Sequence, residues 1–414
     1  MSAATSTAPR RRRPAWLRRN LVLLTLVSLT QDAASELLYP LLPILLTGAL
    51  AAPPVVLGVI EGVADATAGV TKYLAGRWSD RRGRKRFIGA GYALAAVGKV
   101  LVAAAGVWQV VLAGRVVDRF GKGLRSAPRD ALIAASVPPS ALGRAFGFHR
   151  MGDTLGAVIG PLLGLWALHA MDGDLHAALW WAVLPAVLSA VLVIFTRDVP
   201  VVPHANAATP VPGYATGRAA VRERLPRAYR TVVAVLVVIA LVNFSDALVL
   251  LRVLELGFST TEVVFAYVLF NTVYTLGAFP AGILTDRWPR PLVYAIGLVA
   301  FAVGYLGLAV GSSAVMVYAS IAVYGLFPAF TDGVGKAWIS TLVPAGLRGH
   351  AQGVFQGLQS GAVLLAGLWA GLLWHAGAGR GVVPLAVSGI AAGVAAVAMF
   401  GWAVLGTRHA APAD

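Results

Sequence analysis

The sequence predicts an all-α protein that crosses a membrane about twelve times. Three observations carry this prediction: 58% of the 414 residues are hydrophobic, only 13% are charged, and the mean hydropathy is +0.75. Soluble domains carry roughly a quarter charged residues, so this chain lacks the polar side chains that would cover a water-exposed surface. A bilayer core about 30 Å thick takes about 20 apolar residues per helix, which leaves room for roughly a dozen spans.

Continuous runs rich in Leu, Ala, Val and Gly mark the predicted spans. Such runs are typical of helices and differ from the alternating segments of about ten residues that build membrane barrels. The twelve predicted spans are residues 20–47, 55–76, 87–107, 109–133, 145–169, 177–196, 229–254, 262–284, 291–311, 314–341, 350–374 and 382–405. They divide the chain into a basic N-terminal tail (1–19), a six-helix bundle (20–196), a linker (197–228), a second six-helix bundle (229–405) and a tail (406–414).

The net charge of +16 indicates orientation in a membrane and not a nucleic-acid partner. With a cytoplasmic N-terminus, the inside loops hold nearly all the loop Arg and Lys residues, and the outside loops hold only Arg380. This asymmetry follows the positive-inside rule and predicts that both termini are cytoplasmic, in the inner or plasma membrane. The basic residues 10–13 before an apolar run also fit a signal peptide, but that run far exceeds the usual 7–15 residues or so.

Several function classes are disfavoured by what the sequence lacks. The chain has no Cys, which excludes disulfides, thiolate nucleophiles and Cys-ligated metals. It carries no H-E-x-x-H, no G-x-S-x-G and no P-loop, so hydrolase chemistry and ATP-driven transport have no support. We therefore expect no enzymatic activity, no cofactor and no metal centre. We also expect a monomer that acts on a small-molecule substrate.

The second half of the chain repeats the first at a shift of 206 residues. Because each half holds six spans, the two copies have the same orientation, related by an axis along the membrane normal. The matched pairs include Val137-Pro138 with Val343-Pro344, and Gly76, Asp80, Arg81, Arg84, Gly143, Ala145 and Gly147 with Gly282, Asp286, Arg287, Arg290, Gly349, Ala351 and Gly353.

The motifs resemble those of the major facilitator superfamily of secondary transporters. The loop at 76–86, G-R-W-S-D-R-R-G-R-K-R, is similar to the signature G-x-L-x-D-R-x-G-R-K/R-x, with Trp78 at the Leu position. The fourth span carries R-V-V-D-R-F-G-K-G at 115–123, similar to R-x-x-Q-G-x-G-x-G, with Asp118 and Arg119 in place of Gln and Gly. The resemblance implies two six-helix bundles related by pseudo-two-fold symmetry and transport by alternating access.

Acidic residues within the basic loops predict a conformational latch. Asp80 is an acid among bases, and Asp286 recurs at the repeat position, which favours a contact that holds the inward-closed state and breaks when the bundles rock. The alternative is a solvated basic loop that only follows the charge rule. The predicted latch residues are Gly76, Asp80, Arg81, Gly83, Arg84, Asp130, Asp286 and Arg287.

A glycine stripe in the fifth span resembles the motif of antiporter branches, which export drugs and metabolites. Gly at every fourth position leaves a flat helix face, so backbones approach closely and one bundle is expected to slide against the other. The alternative is ordinary tight packing. The motif consists of Gly152, Gly156, Gly160, Pro161 and Gly164.

Ionisable side chains inside predicted spans are the candidate coupling groups. Such a group costs about 2.5–3.5 kcal/mol at the bilayer centre on insertion scales, so it normally faces a cavity. Asp32 and Glu36 lie on one helix face, and two close carboxylates in low dielectric share a proton, with Arg115 as their expected cationic partner. Asp118 and Asp153 complete the predicted proton-coupling set. A structural ion-pair network is the alternative.

Polar and aromatic residues of other spans are expected to line a substrate cavity. The candidates are Asp65, Arg119, Arg150, Asn243, Asp246, Asn271, Tyr274, Gln356 and Gln359. Lys72 and Lys99 are expected to reach water near span ends, and His149 is expected to lie near a loop. The sequence favours a proton-coupled exporter. Open alternatives are a symporter of an organic anion that pairs with Arg115, Arg119 or Arg150, a divalent-cation exporter, and a sensor with a transporter fold.

Overall fold

The computed structural model describes residues 16–39, 41–42, 44–52, 54–199, 225–377 and 379–408. Most of both predicted tails and most of the predicted linker lie outside these residues. The described residues form helices and no strand.

The first half of the chain folds into seven α-helices. A short π-helix at Ile44–Ala49 follows α1, and a 3₁₀ turn at Pro139–Ala141 precedes α5. The helices are α1 (Arg19–Leu38), α2 (Pro54–Arg82), α3 (Arg84–Ala103), α4 (Trp108–Ser136), α5 (Leu142–Ala170), α6 (Leu175–Trp180) and α7 (Val183–Ile194).

The second half also folds into seven α-helices. In the first half the predicted sixth span is divided into two helices, and in the second half the predicted seventh span is divided. A 3₁₀ turn at Ala345–Leu347 precedes α13, as its counterpart precedes α5. The helices are α8 (Arg227–Ala240), α9 (Asp246–Glu255), α10 (Thr260–Arg287), α11 (Arg290–Val310), α12 (Ala314–Thr341), α13 (Arg348–Leu372) and α14 (Val382–Arg408). The predicted seventh span, 229–254, is therefore two helices, α8 and α9, which meet near Asn243.

Eight helical segments among the described residues are long and apolar enough to cross a membrane. The other predicted spans coincide with α2, α4, the α8–α9 pair and α13. The charged residues in α2 and α4, and the break before α9, account for their lower apolarity. The twelve-span count stays a prediction, and eight of the twelve predicted spans have the length and apolarity that crossing requires.

Each half packs as its own bundle. In the first, α1 lies against α5 and α7, and α4 lies against α2 and α3. In the second, α11 lies against α12 and α14, and α10 lies against α12. Among the described residues, one apolar core runs through the second bundle from Tyr229 to Met399, whereas the first has two larger cores, one near each end, and a small cluster of three alanines.

The glycine stripe of α5 packs inside the first bundle. A Cβ at Gly156 would lie 2.4 Å from the Leu29 carbonyl oxygen, and one at Gly160 would lie 2.7 Å from the Ala33 carbonyl oxygen, both on α1. Gly152 and Gly164 also face α1. The expectation of a sliding surface between bundles is therefore wrong for this face, which fixes α1 against α5.

Candidate functional site

The two bundles meet at one end of the molecule, which we name the closed end. Asp286, at the end of α10, accepts hydrogen bonds from the Gly143 amide (2.7 Å) and the Arg144 amide (3.1 Å) at the start of α5. The Arg144 side chain adds an ion pair of 2.7 Å. Free amides and the helix dipole at a helix N-terminus favour a carboxylate there.

The repeat builds the same contact on the opposite side of the closed end. Asp80, at the end of α2, accepts from the Gly349 amide (3.2 Å) and the His350 amide (2.8 Å) at the start of α13. Arg84, which is buried, donates to Asp80 at 2.9 Å and to the Ala345 carbonyl oxygen at 2.9 Å. The two carboxylates therefore hold residues that differ by the same 206 positions.

Glycines allow the helix backbones to touch beside both carboxylates. A Cβ at Gly76 would lie 2.3 Å from the Gly349 carbonyl oxygen, and one at Gly282 would lie 2.4 Å from the Gly143 carbonyl oxygen. Gly83 has a φ of 88°, a conformation that suits glycine at the turn into α3.

The other predicted latch residues divide into two groups. Arg81 and Arg287 are exposed at the ends of their helices. Asp130 lies deeper and is buried, with Lys336 Nζ and Gln356 Nε2 of the second bundle each 2.9 Å away. Asp130 therefore belongs to a second layer of contacts between the bundles.

A cavity of about 1190 Å³ lies between the bundles, beyond the closed end. All nine residues predicted from the sequence to line a substrate cavity do line it, as do Asp32, Glu36 and Asp153. Most lining residues of the first bundle lie on α1, α2, α4 and α5, and most of those of the second lie at the α8–α9 break and on α10, α12 and α13; α3 and α11 contribute Tyr92 and Tyr294.

Asp32 on α1 and Asp153 on α5 both line the cavity and act on each other electrostatically, where Gly156 lets the two helices touch. Two interacting carboxyl groups in a low dielectric favour one shared proton, because two negative charges repel each other there. Asp153 also lies 2.7 Å from Arg150 Nη1 and 3.7 Å from Arg129 Nη1. The sequence predicted Glu36 as the partner of Asp32. In the structure the partner is again a carboxyl group, but it is that of Asp153.

Arg150 connects this pair to the second bundle. Its Nη2 lies 2.7 Å from Asp332 on α12, and its Nε donates to the Tyr274 hydroxyl on α10, which in turn donates to Asp332. A single guanidinium thus bridges carboxylates of both bundles, Asp153 and Asp332.

Two further acids of the cavity accept from tyrosines. Glu36 accepts from the Tyr267 hydroxyl at 3.0 Å, a contact between α1 and α10. Asp246, at the start of α9, accepts from the Tyr324 hydroxyl at 2.7 Å within the second bundle.

Arg115 and Asp118 lie in a separate cluster and are not among the lining residues of this cavity. Arg115 Nη1 is 3.8 Å from Asp118, and Lys99 Nζ is 3.1 Å from it. The expected partnership of Arg115 with Asp32 and Glu36 is therefore replaced, in this conformation, by a pairing with Asp118. Lys99 is 1% exposed, so the expectation that it reaches water is wrong.

Several cavity residues were missed or misjudged from the sequence. Lys72 lines the cavity and donates to Ser360 Oγ at 3.2 Å. His149 is buried and contacts Ser28 Oγ at 3.4 Å, so it is not a loop residue. Lys122, Arg125 and Arg129 continue the face of α4 that begins at Arg115, Asp118 and Arg119. The sequence signal for this face was the spacing of three and four residues between its charged positions, which places them on one side of a helix.

Comparisons with known proteins agree with this architecture. The Major Facilitator Superfamily profile matches residues 24–251 and 231–414. An uncharacterised MFS-type transporter of Methanocaldococcus jannaschii is 29% identical over 365 residues, covering 86% of this chain and 89% of that protein. The multidrug resistance protein MdtH of Yersinia enterocolitica is 29% identical over 154 residues, covering 37% of this chain and 38% of that protein.

Solved structures share the fold at low identity. The human organic anion transporter TETRAN has a TM-score of 0.75 at 18% identity, with 93% of this chain and 100% of that chain covered. The proton:xylose symporter XylE has a TM-score of 0.72 at 16% identity, with 93% and 95% covered. Since the superfamily profile matches nearly the whole chain and the paired bundles agree with it, this protein belongs to the Major Facilitator Superfamily and is a multi-pass membrane transporter.

Proposed function

We propose that this chain is a proton-coupled antiporter that exports a small molecule by alternating access in the cell membrane, with both termini cytoplasmic. The observation that carries the proposal is the Asp32–Asp153 carboxyl pair beside Arg150. This pair binds one proton in the membrane interior, where a lone charge is costly. The short partial matches to MdtH proteins support export.

The proton changes the contacts that join the bundles. With the proton bound, the Asp32–Asp153 pair carries one negative charge and leaves Arg150 more strongly attracted to Asp332. When the proton leaves, the pair gains a second negative charge and attracts Arg150 and Arg129 more strongly. Because Asp332 belongs to the second bundle, protonation biases the equilibrium between conformations, as coupling requires.

Two alternatives make different demands on the site. Uptake of an organic anion by symport is favoured by Arg119 and Arg150, which line the same cavity. A divalent-cation exporter needs a ligand cluster, and the described residues contain no group of three or more His, Asp or Glu side chains placed to hold a metal ion. The site therefore favours organic substrates.

The test uses purified protein in liposomes that hold a pH gradient and an internal pH dye. Cationic drugs, organic anions and divalent metals are added in turn. We expect one class to dissipate the gradient with the wild type and at least tenfold more slowly with Asp32→Asn or Asp153→Asn.

Asp174→Asn is the matched control, because Asp174 is an exposed helix cap that accepts from the Ala177 amide far from the cavity. Dissipation that is equal in wild type, Asp32→Asn and Asp153→Asn overturns the assignment of the carboxyl pair. If no class dissipates the gradient with the wild type, proton antiport itself is overturned. Substrate accumulation that follows an inward proton gradient indicates symport instead.

A further inference from the structure

The central cavity opens sideways between α2 and α13. These helices stay in contact from Gly76 to Gly69 and separate beyond it. They leave a gap, the α2–α13 cleft, whose lining we define by Gly62, Val70 and Leu74 on α2 and Leu364, Gly367 and Leu368 on α13. All six residues line the central cavity. A Cβ at Gly62 or Gly367 would meet nothing within 4 Å, so the gap is open there.

The rim of this cleft faces lipid. Val70 is 64% exposed, Leu364 is 60% exposed and Leu368 is 56% exposed, and all three are apolar. In a membrane transporter, exposed apolar side chains at mid-helix contact acyl chains. A molecule in the cavity therefore has access to the bilayer interior without crossing a polar surface.

Behind the rim, the cavity wall formed by α2 and α4 carries unbalanced positive charge. Lys72 and Lys122 are half-buried there; they are repelled by Arg119 and by each other, Asp65 attracts both, and Asp32 also attracts Lys122. Arg119 Nε lies 3.4 Å from Asp65. Neither lysine has an ion pair within 4.0 Å among the described residues, whereas Lys336 is paired with Asp130.

Two ammonium groups without a carboxylate within 4.0 Å in a membrane interior carry a desolvation cost that an anion would offset. Asp65 is the one acid on the α2 and α4 wall among the described lining residues, and it is 69% exposed and paired with Arg119; the other acids that line the cavity lie on α1, α5, α9 and α12. The wall next to the cleft therefore keeps a net positive charge and favours an anion.

We propose that the substrate is an amphiphile with one anionic head and one apolar chain. The head lies between Lys72 and Lys122, and the chain leaves the cavity through the α2–α13 cleft into the lipid. This inference rests on the proposed function for the direction of movement but not for binding. Export of an anion against entry of a proton moves positive charge inward, so a membrane potential that is negative inside drives it.

Binding is measured on the purified full chain with tritiated oleoyl-lysophosphatidylglycerol and no proton gradient. The competitors test which parts of the ligand, its head group or its chain, are required for binding. Oleate has the chain with a carboxylate, oleoyl-lysophosphatidylcholine has the chain with a zwitterionic head, and glycerol 3-phosphate is an anionic head alone. We expect saturable binding that oleate displaces, with the other two competitors at least tenfold weaker.

The variants test head and chain separately. Lys72→Gln and Lys122→Gln are each expected to weaken binding about tenfold, and Gly367→Trp to abolish it by filling the cleft. Gly401→Trp is the matched control, because a Cβ at Gly401 also meets nothing within 4 Å and Gly401 lies outside the cavity.

Each remaining outcome decides the matter. Equal affinity for the phosphatidylcholine analogue, or unchanged binding in both lysine variants, overturns the anionic head. Unchanged binding in Gly367→Trp overturns the cleft. Displacement by oleate supports a general anionic amphiphile, and no displacement by oleate restricts the class to phospholipid heads. Intact amphiphile binding without proton exchange contradicts the proposed function alone. Intact proton exchange without amphiphile binding contradicts this inference alone.

Discussion

The α5–α10 and α2–α13 interfaces are built at the same repeated positions, yet they differ in the side chains that face the cavity. Both begin at the closed end with a carboxylate on helix amides and a glycine contact. The α5–α10 interface then continues, with a Cβ at Gly147 placed 2.5 Å from the Ala278 carbonyl oxygen and Thr154 bonded to Thr275 at 3.0 Å.

The α2–α13 interface reaches the equivalent positions with other contacts. A Cβ at Gly353 would lie 2.8 Å from the Lys72 carbonyl oxygen, and Lys72 Nζ donates to Ser360 Oγ at 3.2 Å, where Ser360 is the repeat equivalent of Thr154. Beyond these contacts, a Cβ at Gly361 or Gly367 would meet nothing within 4 Å. The repeat therefore gives both interfaces contacts at the same positions, and the α2–α13 pair opens to lipid beyond them.

The largest expected effect comes from adding a side chain where the helices touch. In Gly76→Leu and Gly282→Leu, the new atoms meet backbone, which cannot move aside as a flexible side chain does. Overpacking of this kind costs about 1–3 kcal/mol or more. We expect each variant to lose the closed end and to reduce proton exchange to background.

Distances between spin labels measure this loss, and the absence of native Cys makes labelling specific. Labels at Ser140 and Trp288 report α5–α10, and labels at Arg82 and Ala345 report α2–α13. Gly371→Leu on α13 is the control, because a Cβ there meets nothing within 4 Å. A closed end that survives Gly76→Leu in folded protein would contradict the role of this contact.

The closed end was largely predictable from the sequence, because the 206-residue shift identifies Asp80 and Asp286 as equivalents. Their partners were not, since the amides of Gly349 and Gly143 carry no side-chain signal. The match of each carboxylate to a helix start depends on how the two bundles dock. Sequence periodicity within one helix does not contain that information.

The sequence predicted that the candidate proton site is a carboxyl pair containing Asp32, but it did not identify Asp153 as the second carboxyl group. Spacing within α1 correctly places Asp32 and Glu36 on the cavity. The approach of α5 through Gly156 and Gly160 then brings Asp153 to Asp32. Lys99 was misjudged for a similar reason, since its burial depends on the packing of α3 on α4.

A smaller effect is expected from the carboxylates themselves. Asp80→Asn removes the charge that pairs with Arg84, which is buried, and bonds to charged groups contribute about 1.5–3 kcal/mol. We expect the open fraction of the α2–α13 pair to rise about tenfold. Asp286→Asn should raise the α5–α10 open fraction only about threefold, because Arg144 is 35% exposed and solvent screens its pair.

The same spin-label pairs compare the two substitutions, with Asp174→Asn as an isosteric change away from both interfaces. Equal effects of Asp80→Asn and Asp286→Asn would show that burial of the arginine does not distinguish the two sides. A larger effect of Asp286→Asn would reverse the order that we derive from exposure.

The smallest expected effect lies at the bond between two hydroxyl groups in the α5–α10 interface. Thr275→Val removes the hydroxyl that bonds Thr154 across the bundles, and such bonds average about 0.6 kcal/mol in membrane proteins. We expect the α5–α10 open fraction to rise about threefold while the α2–α13 distance stays unchanged. Thr67→Val is the control, because its hydroxyl donates to the Val63 carbonyl oxygen of its own helix.

This last variant decides whether α5–α10 acts as the persistent side of the transporter. If loss of a single hydroxyl changes its open fraction, the interface separates at equilibrium and its contacts contribute to the free energy of closure. If Thr275→Val leaves both distances unchanged while Gly282→Leu changes them, the glycine contact alone controls closure. The contacts beyond it would then serve to keep lipid out of the cavity on the side opposite the α2–α13 cleft.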